Sequence, residues 1–513
     1  MSDSIVRPRR LLWGALGVLL LGCPLAEAQD GADPIPATPV LPATTQATDR
    51  SAIARPEAAP PLNPSVVPPR PPPLIELGDK FFGTGALQRG FTLPTGAVWT
   101  PNFTVFGTYR SAVQGFHDPL TEFGPLAADF KDKTRSEWAN RLDVFGNLQL
   151  SGTERLLVGL RPLDDATFAK PAQAKYFGYQ FSPDTTDGWV YKFKAEPTTL
   201  FFEGDIGQIF PRLDPMGTSP WDIGFSVGRQ PLLYQDGLLL DDDIDAVGIT
   251  RNTILPRGAS NAQITALYGW GQINRGDGIN HDDHLLLGLA FNADFRPTTW
   301  NLDLFYVGGD SAVSGGAYAG LSATQRIGVL NTTFRLLGSK ALGRTSGGPA
   351  SEVSQFGNGS SAVGNGALLF SEMSYTVPYR NDLVYLDTYW GIDRFTSAAR
   401  GPDRGGALGR VGILFAEQPI GRFGSALSSD PERSAGFALG YQAFLDADRR
   451  RQLILELGGR LGTANPSAGA LATGAQYQQA FGQHTVLEVG GFVALNESEG
   501  LGYGARVEVR YEF

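Results

Sequence analysis

The sequence predicts an all-β protein, a transmembrane antiparallel up-and-down β-barrel of about 18 strands, with about 16 as the alternative. Three observations lead there. Beyond residue 30 no run of about 18 uninterrupted apolar residues occurs, which excludes helical membrane spans. From about Asn102 onward, segments alternate apolar with polar or small side chains at period two, separated by Gly-, Pro-, Asp- and Ser-rich stretches. The 513-residue chain carries 65 Gly and 11% aromatic residues with only 42% hydrophobic residues, a balance too polar for a bundle of membrane helices.

From the N-terminus, residues 1–28 read as an export signal. Arg7, Arg9 and Arg10 supply the basic start, Leu11 to Leu21 the apolar stretch, and Ala26-Glu27-Ala28 a small-residue cleavage site. Lipidation at Cys23 is the competing reading; Pro24 and the cleavage site downstream weigh against it. Cys23 is the only cysteine, so the processed chain is expected to carry no disulfide and no cysteine-held metal. Residues 29–73 are rich in Pro and Ala, with Pro60-Pro61, Pro68-Pro69 and Pro71-Pro72-Pro73, and predict an extended periplasmic leader. Residues 74–101 fit a leader, a plug or a first strand, and residues 102–513 form the barrel.

The last segment shows the barrel pattern best. Leu501, Tyr503, Ala505, Val507, Val509, Tyr511 and Phe513 share one face, while Gly502, Gly504, Arg506, Glu508, Arg510 and Glu512 share the other. The contrast recurs. Leu453, Leu455, Leu457 and Leu461 oppose Glu456 and Arg460, Leu142, Val144 and Leu148 oppose Arg141 and Asp143, and Leu156, Val158 and Leu160 oppose Arg155 and Arg161. Trp300, Leu302, Leu304 and Tyr306 oppose Asp303, and Trp390 and Ile392 oppose Asp387 and Asp393. Charge on one face of so many strands would ruin a packed core, whereas a wet lumen tolerates it. An even strand number puts both barrel ends on one side of the membrane. Gly338 to Gly364, Pro162 to Thr186 and Ala416 to Arg433 are the expected long extracellular loops. The closing Arg510-Tyr511-Glu512-Phe513, with a terminal aromatic, suits delivery to a barrel assembly machinery in a Gram-negative outer membrane.

The segment Ile223 to Arg251 contains Val227-Gly228-Arg229-Gln230, Gln235-Asp236-Gly237 and Asp241-Asp242-Asp243-Ile244-Asp245-Ala246. Here the sequence resembles the alginate-export family of outer-membrane proteins. That resemblance implies an 18-stranded barrel with an arginine-bearing constriction passing an acidic polysaccharide, and it puts Arg229, Asp241, Asp243 and Asp245 on the pore wall or an inward-folded loop. Pro231-Leu232-Leu233 stand where that pattern continues with basic residues, so a uronate polymer is in doubt.

Read from the residues alone, the pore-lining candidates are Arg141, Asp143, Arg155, Arg161, Glu456, Arg460, Arg506 and Arg510, with Glu508 and Glu512 beside them. Fixed charge of both signs in a narrow passage orients and selects solutes, and the same residues could instead brace adjacent strands. The chain has 34 Arg against 8 Lys, a bias toward rigid guanidinium groups. A net charge of -10 argues against a nucleic-acid partner. The cluster Gly276 to His284 has neither EF-hand nor zinc-helix spacing, so no metal or other cofactor is expected. His117, His281, His284 and His484 lie beside no evident serine nucleophile, which leaves no catalytic candidates and makes a barrel hydrolase the weakest reading. The expected function is passive passage of hydrophilic solutes, either small molecules or an anionic exopolysaccharide. The alternative is a barrel anchor or surface receptor whose loops plug the lumen. Outer-membrane lipids are the expected partners of the apolar face.

Overall fold

The computed structural model describes residues 73–78, 90–117, 134–163, 177–181, 188–190, 193, 195–213, 222–275, 284–309, 314–342, 363–418, 420–421, 423–464, 469–497 and 500–513. The export signal with Cys23, the leader up to residue 72, residues 276–283 of the Gly276 to His284 cluster, residues 343–362, 164–176 and 182–186 of two expected loops, and residues 419 and 422 of the third lie outside them.

Three short strands precede the wall: β1 (Ile75–Gly78), β2 (Phe91–Thr92) and β3 (Val98–Trp99), the last two forming a hairpin. The wall begins with β4 (Asn102–His117) and β5 (Thr134–Gln149). Its third strand is split into β6 (Arg155–Leu160) and β7 (Phe177–Gln180), which pair with successive parts of β5. Its fourth is split into β8 (Gly188–Val190), on β7, and β9 (Pro197–Asp205), on β6. A single helical turn, α1 (Ile206–Ile209), follows, capped by the Asp205 side chain accepting from the Gln208 N–H. Next come β10 (Ile223–Tyr234), β11 (Leu240–Ile254), β12 (Ala259–Gly271), β13 (Leu286–Phe295), β14 (Thr298–Val307), β15 (Gly315–Ile327), β16 (Leu330–Leu342), β17 (Gly366–Thr376) and β18 (Leu383–Asp393). A two-residue strand, β19 (Ala399–Arg400), stands apart from the wall order. The wall resumes with β20 (Ser434–Phe444), β21 (Arg451–Gly462), β22 (Ala470–Phe481), β23 (Thr485–Asn496) and β24 (Gly500–Glu512).

Each wall strand pairs antiparallel with its neighbours in sequence, and β24 closes the ring on β4 from Tyr503↔His117 to Glu512↔Thr108. With β6/β7 and β8/β9 each counted once, the ring has the 18 strands the sequence predicts. This closure pairs the first wall strand with the last, the condition for strands to cross hydrocarbon with their backbone groups satisfied. At the seam Phe513 and Gly107 exchange backbone hydrogen bonds of 2.8 and 3.0 Å. β1 then takes over the same edge of β4, pairing Ile75 with Val105 and Gly78 with Asn102. Of the readings open for residues 74–101, the described part thus adds a short rim strand outside the 18 and a hairpin.

The alternation falls as the sequence predicts. Leu457, Leu471, Val493, Tyr503, Val507 and Tyr511 are exposed on the outer face, each roughly half accessible. Glu456, Arg506 and Glu508, one residue away along the same strands, are buried on the inner face. Two expected loop limits are corrected. β16 continues to Leu342, so Gly338 is wall and not loop, because Gly338 still pairs with Ala367 and Ala319. The segment expected from Ala416 begins earlier, directly after β18, and its described residues between 394 and 433 run through the lumen. Its apolar residues Phe395, Leu408, Leu414, Phe415 and Leu427 are fully buried. They pack with inward side chains such as Phe305, Leu337, Leu368 and Tyr389, giving one side of the lumen an apolar core.

Candidate functional site: an ion-paired lumen

Among the described residues, two elements narrow the barrel. The first is the end of the β10–β11 hairpin. Pairing of β10 with β9 stops at Arg229↔Leu200, and pairing of β11 with β12 stops at Asp245↔Gly271; beyond these points the two strands pair in register with each other. Gly228 sits at this departure with φ +122°, where a Cβ would run into the Leu200 carbonyl. The hairpin end then reaches wall strands three to five places round the ring. Gln235 donates to Asp303 on β14 at 2.6 Å, Asp236 pairs with Arg335 on β16, and Leu239 lies against the bare Cα of Gly320 on β15.

The second element is segment 394–433. Ile413 and Leu414 donate their N–H groups to Glu456 on β21 at 2.9 and 3.0 Å, Arg506 on β24 donates to Gln418, and Gln114 on β4 donates to the Ile420 carbonyl at 3.0 Å. Phe423 packs edge-on to Phe116 and Phe492. Gly421 has φ +69°, and a Cβ there would collide with Gln114 and Glu137, so only glycine lets the chain lie this close to the wall. Hairpin and segment are tied together. β19 makes a parallel bridge to Leu240 and Asp241, and the buried Arg400 guanidinium donates to the carbonyls of Gly237, Arg404 and Ala407 and to Ser397.

Where these elements meet the wall, guanidinium and carboxylate groups alternate. Asp143 on β5 accepts from the Nε of Arg141 and of Arg161, both at 2.8 Å. The Nη1 atoms of those arginines approach one oxygen of Asp403, on the luminal segment, at 3.6 and 3.3 Å. Asp403 also accepts from Arg404 at 3.1 Å, and Arg404 reaches Asp243 at 3.3 Å and Asp241 at 3.7 Å. Arg410 closes the chain with a bidentate pair on Asp241 at 2.5 and 2.8 Å. Burial opposes ionisation of Asp403, but the guanidiniums of Arg404, Arg161 and Arg141 outweigh it and hold the carboxyl well below the usual carboxylate range.

The other sequence candidates fall elsewhere. Arg229 and Asp245 form a bidentate pair at 2.8 and 2.9 Å, and by register they share the strand face of Val227 and Ile249, the outward one, at the point where the hairpin leaves the wall. Arg155 pairs with Glu203 and lies over the Phe201 ring. Glu456 anchors the luminal segment and accepts from Tyr385. Arg506 and Arg110 share Glu508, Arg510 lies 3.4 Å from Glu512, and Arg460 points to the lumen from β21. The sequence reading missed Arg110, Asp403, Arg404, Arg410, Arg335 and Glu372. Arg110 was visible as the inward member of the Tyr109-Arg110-Ser111 alternation. The luminal arginines were signalled only by the loss of period two after Asp393, in a stretch dense in Gly and Arg. Among the described residues no group of three or more His, Cys, Asp and Glu is placed to hold a metal ion.

No protein-family model matches the chain, and no characterised protein matches it in sequence. Solved structures do match in fold. A BenF-like porin from Pseudomonas fluorescens Pf-5 superposes with a TM-score of 0.50 at 10% identity, over 80% of this chain and 98% of that one. OccK9 (OpdG) and OprD of Pseudomonas aeruginosa give TM-scores of 0.48 and 0.47 at 12% and 9% identity, over 80% of this chain and 98% and 95% of theirs. The chain therefore has the 18-stranded barrel fold seen in the BenF-like porin.

Proposed function

We propose that the protein is an outer-membrane channel for small hydrophilic solutes, which pass along the charged side of the lumen between β4, β5 and β6 and the luminal segment. The observation that carries this reading is the division of the barrel. Its outer face is apolar, and one side of its interior is a chain of partly accessible ion pairs where a folded core would place aliphatic side chains. Pairs such as Asp243 with Arg404 and Arg155 with Glu203 keep roughly a quarter of their side-chain surface accessible, so water enters there. The short-turn end of the barrel, which carries β1, would face the periplasm, and the long-connection end the exterior.

The network holds Arg141, Arg161, Arg404 and Arg410 against Asp143, Asp241, Asp243 and Asp403. Its charges balance, which fits a transverse field acting on small solutes better than an anion conveyor for a polymer. The alginate-export reading rests on the resemblance over Ile223 to Arg251 alone, and a lumen crossed by two elements offers a polymer little room. The hydrolase reading gains no support: the His117 ring stacks on Tyr503, and His484 donates to the Glu512 carbonyl. The receptor reading keeps one observation in its favour, the tethering of segment 394–433 to β4, β21 and β24 at once. Planar-bilayer recording separates the two. Stepwise conductance by the purified protein supports the channel. Silence that ends when residues 402–431 are replaced by a short Gly-Ser linker would establish the plugged barrel instead.

A further inference from the structure

We propose that the outward aromatic cluster on β5, β7 and β8 is a docking site for the headgroup of a phosphorylated glycolipid in the outer leaflet of the membrane. The proposal rests on the reading that places the long-connection end of the barrel outside, and it adds a partner for the wall at that end.

Strand register builds the cluster. Val507, on the outer face of β24, stands opposite Val113 on β4, which stands opposite Trp138 on β5. Trp138 in turn faces Tyr179 on β7, and Tyr179 faces Trp189 on β8, so one outward row passes from aliphatic to aromatic over five strands. Phe177 joins from the next row, through Ser111 and Asn140. The Trp189 ring lies 6.0 Å from Trp138, 6.1 Å from Phe177 and 5.5 Å from Tyr179, and Tyr179 lies 5.2 Å from Phe181. Trp189 and Phe181 are still 52% exposed, which leaves ring faces for a ligand. The polar atoms among the rings are already engaged: Trp138 Nε1 donates to Ser111 Oγ at 2.9 Å, Tyr109 Oη to Asn140 Oδ1 at 2.7 Å, and Asn140 Nδ2 to the Phe177 carbonyl at 3.1 Å. The surface is therefore set before anything binds. Its height fits a headgroup. Trp138 is eleven residues from the end of β5 at Gln149, a rise of about 28 Å for a strand tilted about 40°, against an apolar band about 25 Å tall. At that level rings meet sugars and phosphates, and a flat apolar ring face suits the C–H face of a sugar. Elsewhere at this end the described outward rings come as pairs, Tyr268 with Trp270 and Tyr503 with His117, or singly, as Trp390 does. Charge selects the lipid. The runs 131–133, 170–175 and 192–194, next in sequence to β5, β7 and β8, carry six of the chain's eight lysines against one acid, Asp132. Ammonium groups on flexible stems suit phosphates on a headgroup, whereas a symmetric contact with a second copy would set these runs against themselves.

The test counts lipids held by the full-length protein in detergent, by native mass spectrometry. The probes are an acylated glucosamine disaccharide carrying two phosphates, the same lipid without phosphates, and phosphatidylglycerol. Wild type is expected to retain the phosphorylated glycolipid about tenfold better than either of the others. Y179A/W189A should lose that preference, while Y268A/W270A, on β12 at the same end, should keep it. W189A alone removes one ring from a three-residue strand and reads the same loss if the double variant fails to close its barrel. Equal retention by wild type and the cluster variants would overturn the site, as would equal retention of the glycolipid with and without its phosphates. A preference for phosphatidylglycerol would put the cluster in the inner leaflet and overturn the orientation with it. A dimer that disappears in Y179A/W189A would assign the surface to a second copy instead. Silence of the wild type in planar bilayers would remove the channel reading and leave the lipid count standing.

Discussion

Val507 and Glu508 are neighbours in sequence that face different solvents. Val507 is 47% exposed on the outer face, whereas Glu508 is 1% exposed and sits between Arg110 and Arg506. A replacement that mismatches its solvent should fail for opposite reasons at the two positions. Val507→Arg puts a guanidinium into hydrocarbon and is expected to cost about 2–4 kcal/mol near the bilayer midplane. Glu508→Gln leaves two buried guanidiniums sharing a neutral amide, and breaking a buried pair costs about 3–5 kcal/mol. Urea unfolding from lipid vesicles checks both; a silent Val507→Arg would refute the outward assignment of that face. This level of the structure was readable before any fold was known, since period two alone separates Leu457 from Glu456 and Tyr511 from Arg510. Arg229 and Asp245 show the limit. Their mutual pairing could be guessed, but the departure of the hairpin from the wall turns on Gly228 and on the end of wall pairing at Leu200 and Gly271, which no local pattern encodes.

Segment 394–433 and the β10–β11 end were the elements least legible in the sequence. Both are held by contacts between residues far apart in the chain, and a loop that folds inward has the same turn-rich composition as one that faces water. Arg400 concentrates that long-range information, joining segment and hairpin through the Gly237, Arg404 and Ala407 carbonyls. Arg400→Ala strands these acceptors in a buried place, at about 1–3 kcal/mol for each acceptor that water does not reach. The wall does not depend on them. The variant is therefore expected to keep the heat-resistant gel mobility of a closed barrel while hydrogen exchange accelerates across residues 394–433; unchanged exchange there would show that Arg400 is no anchor. Acid acts on the same element through Asp403. Its carboxyl is held below the ordinary value of 3.8, so its contribution to docking is complete above that value and is lost only as pH falls through the lower folded one. The difference in unitary conductance between wild type and Asp403→Asn should thus stay constant from about pH 7 to about pH 4 and vanish under stronger acid, where the wild-type side chain is also neutral. A difference already gone at about pH 5 would mean that the arginines do not hold this carboxylate.

At the scale of the whole molecule, the lumen has two unlike halves. Inward residues of β11 to β18, such as Ile244, Phe305, Leu337 and Leu368, join the buried aliphatics of segment 394–433 in a dry core, with the Arg335 pairs to Asp236 and Glu372 on the same side, while β4, β5, β6 with its C-terminal extension, and β24 present Arg110, Arg141, Asp143, Arg155, Arg161 and Glu508. On the channel reading proposed above, the passage follows the second half, where guanidinium and carboxylate groups line the wall, rather than the close-packed aliphatic core. The chain's single cysteine makes this division measurable in a Cys23→Ser background. Arg155→Cys on the charged half should react with a membrane-impermeant sulfonate thiol reagent and lose current as the adduct fills the passage. Leu337→Cys, fully buried against the hairpin end, should stay unmodified and leave the current unchanged. The reverse pattern would move the conduction path to the other side of segment 394–433, and equal labelling of both would mean that the dry core is wet. Two residues on opposite walls of one barrel thus test whether its asymmetry, built from a hairpin end and a long connection turned inward, is what shapes the path of a solute.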